Sequence, residues 1–213
     1  MKCDKNTMLL YAVTDRAWTG KQSLYEQVEC ALKGGVTCVQ LREKEMGQEE
    51  FLEEAKEISA LCKQYGVPLF INDNVEVAIQ CQADGIHVGQ EDMAAAQVRK
   101  KVGDGMMIGV SVHSVQEALD AVQNGADCLG VGAMFSTSTK KDAEVLPKEV
   151  LREICAAVDI PVVAIGGIGK SNLLELAGTG VDGVALVSAI FSAEDIEGEC
   201  RLLRKLSEQM VNA

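Results

Sequence analysis

The chain is short of aromatic residues, of histidine, of proline and of positive charge, and each shortage excludes something. Aromatics make up 4% of its 213 residues, so the core has to be aliphatic, as in parallel sheets covered on both faces. Acidic residues outnumber basic ones by 32 to 20, for a net charge of −12. That balance argues against a nucleic-acid partner, whose proteins carry a basic face, and against an anionic membrane surface. An acidic chain can still bind anions where its few cations converge, because charges further apart than about 8 Å are largely screened at physiological salt. No apolar run approaches the ~20 residues that cross a bilayer. Near the start, Met8–Val13 is too short and too polar-flanked for a secretory leader. The expected compartment is the cytoplasm.

Cysteine is not scarce. Eight are present, at positions 3, 30, 38, 62, 81, 128, 155 and 200, and none forms a C-x-x-C pair. Most sit among apolar residues, which reads as buried free thiols in a reducing compartment.

Eight short apolar runs recur: Met8–Thr14, Cys38–Leu41, Pro68–Asn72, Gly85–Gly89, Met107–Val112, Cys128–Met134, Pro161–Gly166 and Gly183–Ser188. Amphipathic stretches separate and follow them, at Ser23–Lys33, Glu49–Tyr65, Val75–Cys81, Met93–Lys101, Ser114–Asn124, Pro147–Val158, Ser171–Ala177 and Asp195–Met210. Ser23 with Glu26, and Ser114 with Glu117, have the spacing of capping boxes. Pro68 and Pro161 open strands, and Pro147 suits the first turn of a helix. An internal echo, in which a small or glycine turn leads into a short strand, precedes the second, fourth, sixth and eighth runs, as in Gly125-Ala126-Asp127-Cys128 and Gly180-Val181-Asp182-Gly183. Strand and helix alternating eight times predict a parallel sheet with short connections. At ~25 residues per unit it closes into a single-domain (β/α)8 TIM barrel spanning residues 1–213. An open doubly wound sheet is the alternative, but no G-x-G-x-x-G follows the first strand.

In such a barrel the site lies at the carboxyl ends of the strands. The second strand runs Cys38-Val39-Gln40-Leu41-Arg42-Glu43-Lys44, and period-2 alternation puts Gln40, Arg42 and Lys44 on one face. Arg42 and Lys44 stand roughly 7 Å apart, a span that suits a diphosphate. The third strand ends Asn72-Asp73 and the fourth runs on to Asp92. Neighbouring strands lie ~4.8 Å apart, so Asp73 and Asp92 can share a cation, and two carboxylates plus substrate oxygens are a usual way to hold Mg²⁺. Helix capping is the competing use for both. Ser111 can donate a hydroxyl hydrogen bond at the end of the fifth strand. After the sixth come Ser136, Thr137, Ser138, Thr139, Lys140, Lys141 and Asp142, a clamp suited to anionic groups. Gly167 after the seventh strand, and Val187-Ser188 at the end of the eighth, fall where these barrels bind phosphate through bare backbone. His87 falls mid-strand and reads as a hydrogen-bonded packing residue, and His113 lies close to the mouth without an assigned role.

These segments together resemble the thiamine-phosphate synthase family: Val13-Thr14-Asp15-Arg16, Gln40-Leu41-Arg42-Glu43-Lys44, Asn72-Asp73, His87-Val88-Gly89-Gln90-Glu91-Asp92, Gly109-Val110-Ser111-Val112-His113, Thr137-Ser138-Thr139-Lys140-Lys141 and Ile165-Gly166-Gly167-Ile168. The resemblance covers nearly the whole chain, with one departure at Ser136, where many members carry Pro. It implies a transferase that joins the pyrophosphate of 4-amino-2-methyl-5-hydroxymethylpyrimidine to 4-methyl-5-hydroxyethylthiazole phosphate, giving thiamine phosphate and pyrophosphate. It also implies Mg²⁺ on Asp73 and Asp92. The pyrimidine pyrophosphate pocket would comprise Gln40, Leu41, Arg42, Glu43, Lys44, Asn72, Ser111 and Lys140. Thr137, Ser138, Thr139, Gly167, Val187 and Ser188 would take the thiazole phosphate. Arg42, Lys44, Ser111 and Lys140 would act on the reacting groups. Rival readings are a thiazole tautomerase-like isomerase on the same scaffold, which needs no metal–diphosphate pair, and a non-catalytic thiamine-precursor binding protein. The expected partners are small molecules, and a homo-oligomer is compatible with the sequence.

Overall fold

In the computed structural model, which describes residues 3–20, 22–137 and 144–213, the apolar runs become eight parallel strands. They are β1 (Leu10–Val13), β2 (Cys38–Leu41), β3 (Leu69–Asn72), β4 (Gly85–Val88), β5 (Met107–Val112), β6 (Cys128–Val131), β7 (Val162–Ile165) and β8 (Gly183–Leu186). They pair in sequence order, and β8 returns to β1 to close a barrel. Outside stand α1 (Leu24–Lys33), α2 (Gln48–Tyr65), α3 (Val75–Gln80), α4 (Ala95–Val102), α5 (Val115–Gln123), α6 (Lys148–Ala157), the short α7 (Ser188–Phe191) and α8 (Ile196–Val211). Alternation sorts each strand. Leu10, Ala12, Val39, Leu41, Leu69 and Ile71 pack into the layer between sheet and helices. Tyr11, Val13, Cys38, Phe70, Met107 and Val163 belong to a separate cluster filling the barrel.

That interior works by pairing large side chains with glycine. A Cβ on Gly85 would sit 2.4 Å from the Phe70 ring, and one on Gly109 would sit 2.5 Å from His87 Nδ1. Bulk supplied by β3 and β4 is thus accommodated by the next strand, and a methyl at either glycine would overpack the barrel.

The echo in the sequence has a structural meaning. The residue just before each even strand, Thr37, Asp84, Asp127 or Asp182, exchanges two hydrogen bonds with the start of the preceding odd strand. Its side-chain oxygen accepts from the backbone N–H of Leu10 at 2.8 Å, Leu69 at 3.0 Å, Ile108 at 2.8 Å and Val162 at 2.9 Å. Its own N–H donates back to the carbonyl of that same residue at 2.7–3.0 Å. The turns at the amino end of the barrel are therefore four copies of one clamp. Arg99 reinforces the third, donating to Asp127 Oδ2 at 2.5 Å and to the carbonyls of Gly103, Met106 and Gly125.

The helix expected at Ser171–Ala177 is instead a four-residue 3-10 turn, Leu173–Leu176. Asn172 is taken up by the preceding loop, accepting from Gly169 N and donating to Gly167 O. Gly178, at φ +71°, turns the chain away immediately afterwards. Four residues between those constraints leave room only for i→i+3 bonds. The capping box at Ser23 and Glu26 closes in both directions. Its counterpart at Ser114 closes in one only, because Glu117 turns its carboxylate to the backbone N–H of His113 at 2.7 Å.

Candidate active site at the carboxyl ends of the strands

Gln40, Arg42 and Lys44 leave β2 on the mouth side. Gln40 is buried inside the barrel and donates from Nε2 to the Tyr11 hydroxyl at 3.0 Å. Arg42 donates its backbone N–H to Thr14 Oγ1 at 2.9 Å, and its guanidinium stands 3.6 Å from Asp15. Lys44 crosses to the end of β3 and pairs with Asp73. Leu41 and Glu43 face the other way: Leu41 is fully buried in the sheet–helix layer, and the Glu43 side chain, 3% exposed, is an ion-pair partner of Arg16. In this structure those two can offer the mouth backbone but not side chain.

The two expected metal-binding carboxylates do meet. Asp73 and Asp92 lie within hydrogen-bonding reach of one another, and neither caps a helix. That duty for α3 falls to Asn74, which accepts from Val77 N at 3.0 Å, while α4 starts without a side-chain cap. Asp92 instead accepts the Gly89 N–H at 2.7 Å. Asp73 holds a left-handed backbone, φ +60°, which is uncommon outside glycine and tolerated better by Asp than by most residues. Loss of water pushes the Asp73 carboxyl above its ordinary range, Lys44 opposes this, and Asp92 adds to it. A crowded carboxylate pair with one lysine is a donor set that suits a hard divalent cation. Among the described residues no third His, Cys, Asp or Glu joins the group, so further ligands to such an ion would be water or substrate oxygen.

Asn72 is buried beside them, and its Nδ2 finds no acceptor among the described residues. Leaving a buried donor unmade costs about 1–3 kcal/mol. One strand further on, His87 Nε2 lies 2.9 Å from Ser111 Oγ, whereas Nδ1 is buried without a partner. Burial depresses the imidazole to about 4, against a weaker pull from Asp92, so the ring is neutral near pH 7. A neutral ring carries one N–H, and a buried N–H without a partner is rarer than a bare acceptor. These partners assign the proton to Nε2. His87 then donates to Ser111, and the Ser111 hydroxyl proton stays available to a ligand.

Across the mouth, Gly167 has φ +64°, and a Cβ there would lie 2.4 Å from the Ser136 carbonyl and 2.7 Å from that of Phe135. Glycine at this position seats the beginning of loop six. Val187 packs against the interior cluster, and Ser188 opens α7 directly after β8. The strand expected to reach Ser188 stops at Leu186. Thr137 is described and engaged. Ser138, Thr139 and Lys140, the rest of the expected clamp, lie outside the described residues, as do Lys141 and Asp142.

Two hollows open on the surface. One, of about 440 Å³, runs along Arg16, Ser23, Tyr25 and Glu54, and the other, of about 580 Å³, lies by Lys5, Asp182 and Arg204 at the amino end. Neither contains a residue of the β2–β5 cluster. The eight thiols are all free. Burial pushes Cys62, Cys155 and Cys200 up to about 12, so none of these three is poised as a nucleophile.

Sequence reasoning gave no role to Thr14, Asp15 and Arg16. The rule applied to β2, that polar residues past a strand's last apolar position face the mouth or its rim, would have found them after β1.

The family model for thiamine monophosphate synthase matches residues 10–190. The chain is 47% identical to the thiamine-phosphate synthase of Clostridium acetobutylicum over 194 residues, which cover 91% of this chain and 92% of that protein. It is equally similar, over 203 residues and 95% of both chains, to the thiamine-phosphate synthase of Ruminiclostridium cellulolyticum. The solved structure of thiamine phosphate pyrophosphorylase from Pyrococcus furiosus superposes with a TM-score of 0.89 at 41% identity, over 97% of this chain and 98% of that one. A family model matching most of the chain, relatives at this identity and a barrel that superposes along its whole length agree: the chain belongs to the thiamine monophosphate synthase family.

Proposed function

We propose that this protein is a thiamine-phosphate synthase, a transferase that joins 4-amino-2-methyl-5-hydroxymethylpyrimidine pyrophosphate to 4-methyl-5-hydroxyethylthiazole phosphate and releases pyrophosphate. The observation that carries the reading is the convergence of Lys44, Asp73 and Asp92 from three successive loops, with Gln40 near the end of β2 and Arg42 just past it. A tautomerase on this scaffold would have no use for that cluster.

In this reading Arg42 and Lys44 bind the diphosphate oxygens, and Asn72 supplies its unmade amide donor nearby. The bond between the pyrimidine methylene carbon and the diphosphate oxygen breaks, and its electron pair leaves with pyrophosphate. The aminopyrimidine ring supports the cationic carbon, and the thiazole nitrogen then donates its lone pair to form the new C–N bond. Interactions that strengthen as charge gathers on the leaving group lower the barrier, which is the work assigned to Arg42, Lys44 and the proton of Ser111. Lys140 is expected to join them from loop six. Gly167, Val187 and Ser188, with Thr137, Ser138 and Thr139, would hold the thiazole phosphate. Mg²⁺ on Asp73 and Asp92 would neutralise diphosphate charge when bound. No covalent protein nucleophile is required. The site has the makings of a small-molecule enzyme, and among the described residues no helix is long and apolar enough to cross a membrane.

Incubation with both substrates, with and without Mg²⁺, should give thiamine phosphate and pyrophosphate in equal amounts, and only with the metal. Equal turnover in EDTA would remove the metal from the reading. Binding of either substrate without any product would favour a precursor-binding protein.

A further inference from the structure

Three consecutive residues just past β1 hold the segment that carries the β2 cations, and none of them belongs to the cluster described above. Thr14 donates its backbone N–H to the Gln40 carbonyl at 2.9 Å, and its hydroxyl accepts the Arg42 N–H at 2.9 Å. The Asp15 carboxylate stands 3.6 Å from the Arg42 guanidinium. Arg16 reaches furthest. Its Nε lies 2.9 Å from Glu43 Oε1, an ion pair without the alignment of a hydrogen bond, and its Nη2 donates to Glu54 Oε1 of α2 at 2.6 Å and approaches Met46 Sδ at 3.7 Å. These contacts fall on Gln40, Arg42, Glu43 and Met46, and on the helix that follows them.

The strap is itself anchored. Asp15 accepts the Ala17 N–H at 2.9 Å and so starts a 3-10 turn, Arg16–Trp18. Thr19 Oγ1 donates back to the Arg16 carbonyl, and Gln27 of α1, a buried amide, donates to the Trp18 carbonyl at 2.7 Å. A segment of lysine and arginine side chains with backbone of its own to order would bind a dianion poorly, since each immobilised long side chain costs about 0.5–1.5 kcal/mol.

We propose that Thr14, Asp15 and Arg16 are positioning residues that preorganise Arg42 and Lys44 for a diphosphate, with the Arg16–Glu43 contact as the fixed point between them. Glu43 lies between the two cations in sequence and faces away from the mouth. Holding its carboxylate on the outer side fixes the backbone from which Arg42 and Lys44 extend, just past the end of β2. The role is to place other groups, and Arg16 touches no substrate. The inference rests on the reading that this end of β2 takes a diphosphate.

The test is calorimetric titration of the full chain with inorganic pyrophosphate and Mg²⁺, alongside steady-state KM values for both substrates. Arg16→Met alone leaves Glu43 buried and unpaired, a change that can unfold the protein. The Arg16→Met/Glu43→Gln double variant removes both charges and is the decisive one. Its Kd for pyrophosphate, and its KM for the pyrimidine diphosphate, should rise about tenfold, equivalent to about 1.4 kcal/mol. KM for the thiazole phosphate should not move. Arg16→Lys, which keeps the charge but loses the planar fork, should fall between wild type and the double variant. A double variant with unchanged Kd and a lowered melting temperature would reduce Arg16 to a fold-stabilising residue and overturn the proposal. Equal rises in both KM values would overturn it too. Failure of the wild-type protein to bind pyrophosphate would instead remove the diphosphate reading, and the inference with it.

Discussion

Lys44 is asked to do two things with one ammonium group: keep Asp73 and Asp92 from repelling each other in the free protein, and meet the diphosphate when it arrives. Lys44→Met should therefore lower kcat about 10- to 100-fold, from a charge-assisted contact of about 1.5–3 kcal/mol at about 1.4 kcal/mol per decade. Single-turnover rates at saturating Mg²⁺ check this, and a loss smaller than twofold would take Lys44 out of the chemistry. The cysteines should behave oppositely. Cys200 is fully buried against α1, and its thiol is pushed up to about 12 by burial, so Cys200→Ser should cost about 1–3 kcal/mol of stability through an unpaired hydroxyl. kcat per folded molecule should stay at the wild-type value, as thermal melts paired with active-site titration would show. A folded, inactive Cys200→Ser protein would mean that a thiol takes part after all.

Between elements, much of the barrel was legible because each local signal agreed with the closed sheet. The eight apolar runs contain the eight strands, and the echo before every second strand marks a real clamp. What could not be read is what depends on neighbours across space. Ser114 and Glu117 have the spacing of a capping box, but Glu117 has His113 within reach and takes it instead. Leu41 and Glu43 are a different case. Alternation already set them on the face opposite Gln40 and Arg42, and only their place inside the family motif drew them into the pocket. Arg16 is what holds Glu43 outward. The unexpected 3-10 turn at Leu173–Leu176 follows from Asn172 being recruited by a glycine loop, a contact no periodicity encodes. The clamps predict a ranking. Asp84→Ala should destabilise by about 1–3 kcal/mol, the cost of a buried N–H left unmade, and Asp84→Asn, which keeps an acceptor, by less. Asp127→Ala should cost more than Asp84→Ala, because Arg99 loses its carboxylate as well. Chemical denaturation of the three variants gives the order, and an Asp84→Asn loss equal to that of Asp84→Ala would mean the hydrogen bond is not what matters. Gly167 belongs at this scale too. Gly167→Ala forces a left-handed alanine, about 1–2 kcal/mol, and presses on the Ser136 carbonyl. Because Phe135 and Ser136 lead into the loop expected to serve both substrates, both KM values should rise. An effect confined to the thiazole phosphate would show that loop six tolerates the shift.

The stability of the molecule as a whole should carry the signature of its one buried imidazole. His87 is wedged between Gly109, Gly130 and Ser111 inside the barrel, and burial lowers it from an ordinary 6.5 to about 4. Between those two values the unfolded chain binds a proton that the folded chain refuses. Stability therefore rises with pH across that window, by up to about 1.4 kcal/mol per pH unit. The contribution is fully present above pH 6.5, declines as pH falls toward 4, and changes no further below that, where both states are protonated. The full swing is on the order of 3 kcal/mol. Asp73 and Glu43, both raised by burial, run the other way. A carboxyl that is harder to ionise in the folded state gains relative stability as pH falls, so the wild-type curve is a sum of opposing slopes. The comparison that isolates His87 is with His87→Gln, whose amide nitrogen can still reach Ser111 but does not titrate. Subtracting the two unfolding free energies from pH 4 to pH 8 should leave a difference that is flat above pH 6.5. Below it, wild type should lose ground steadily relative to the variant. A constant offset across the whole range would mean that the ring takes up its proton inside the fold at its ordinary pKa. The neutral tautomer that leaves the Ser111 proton to the ligand would then fail as well.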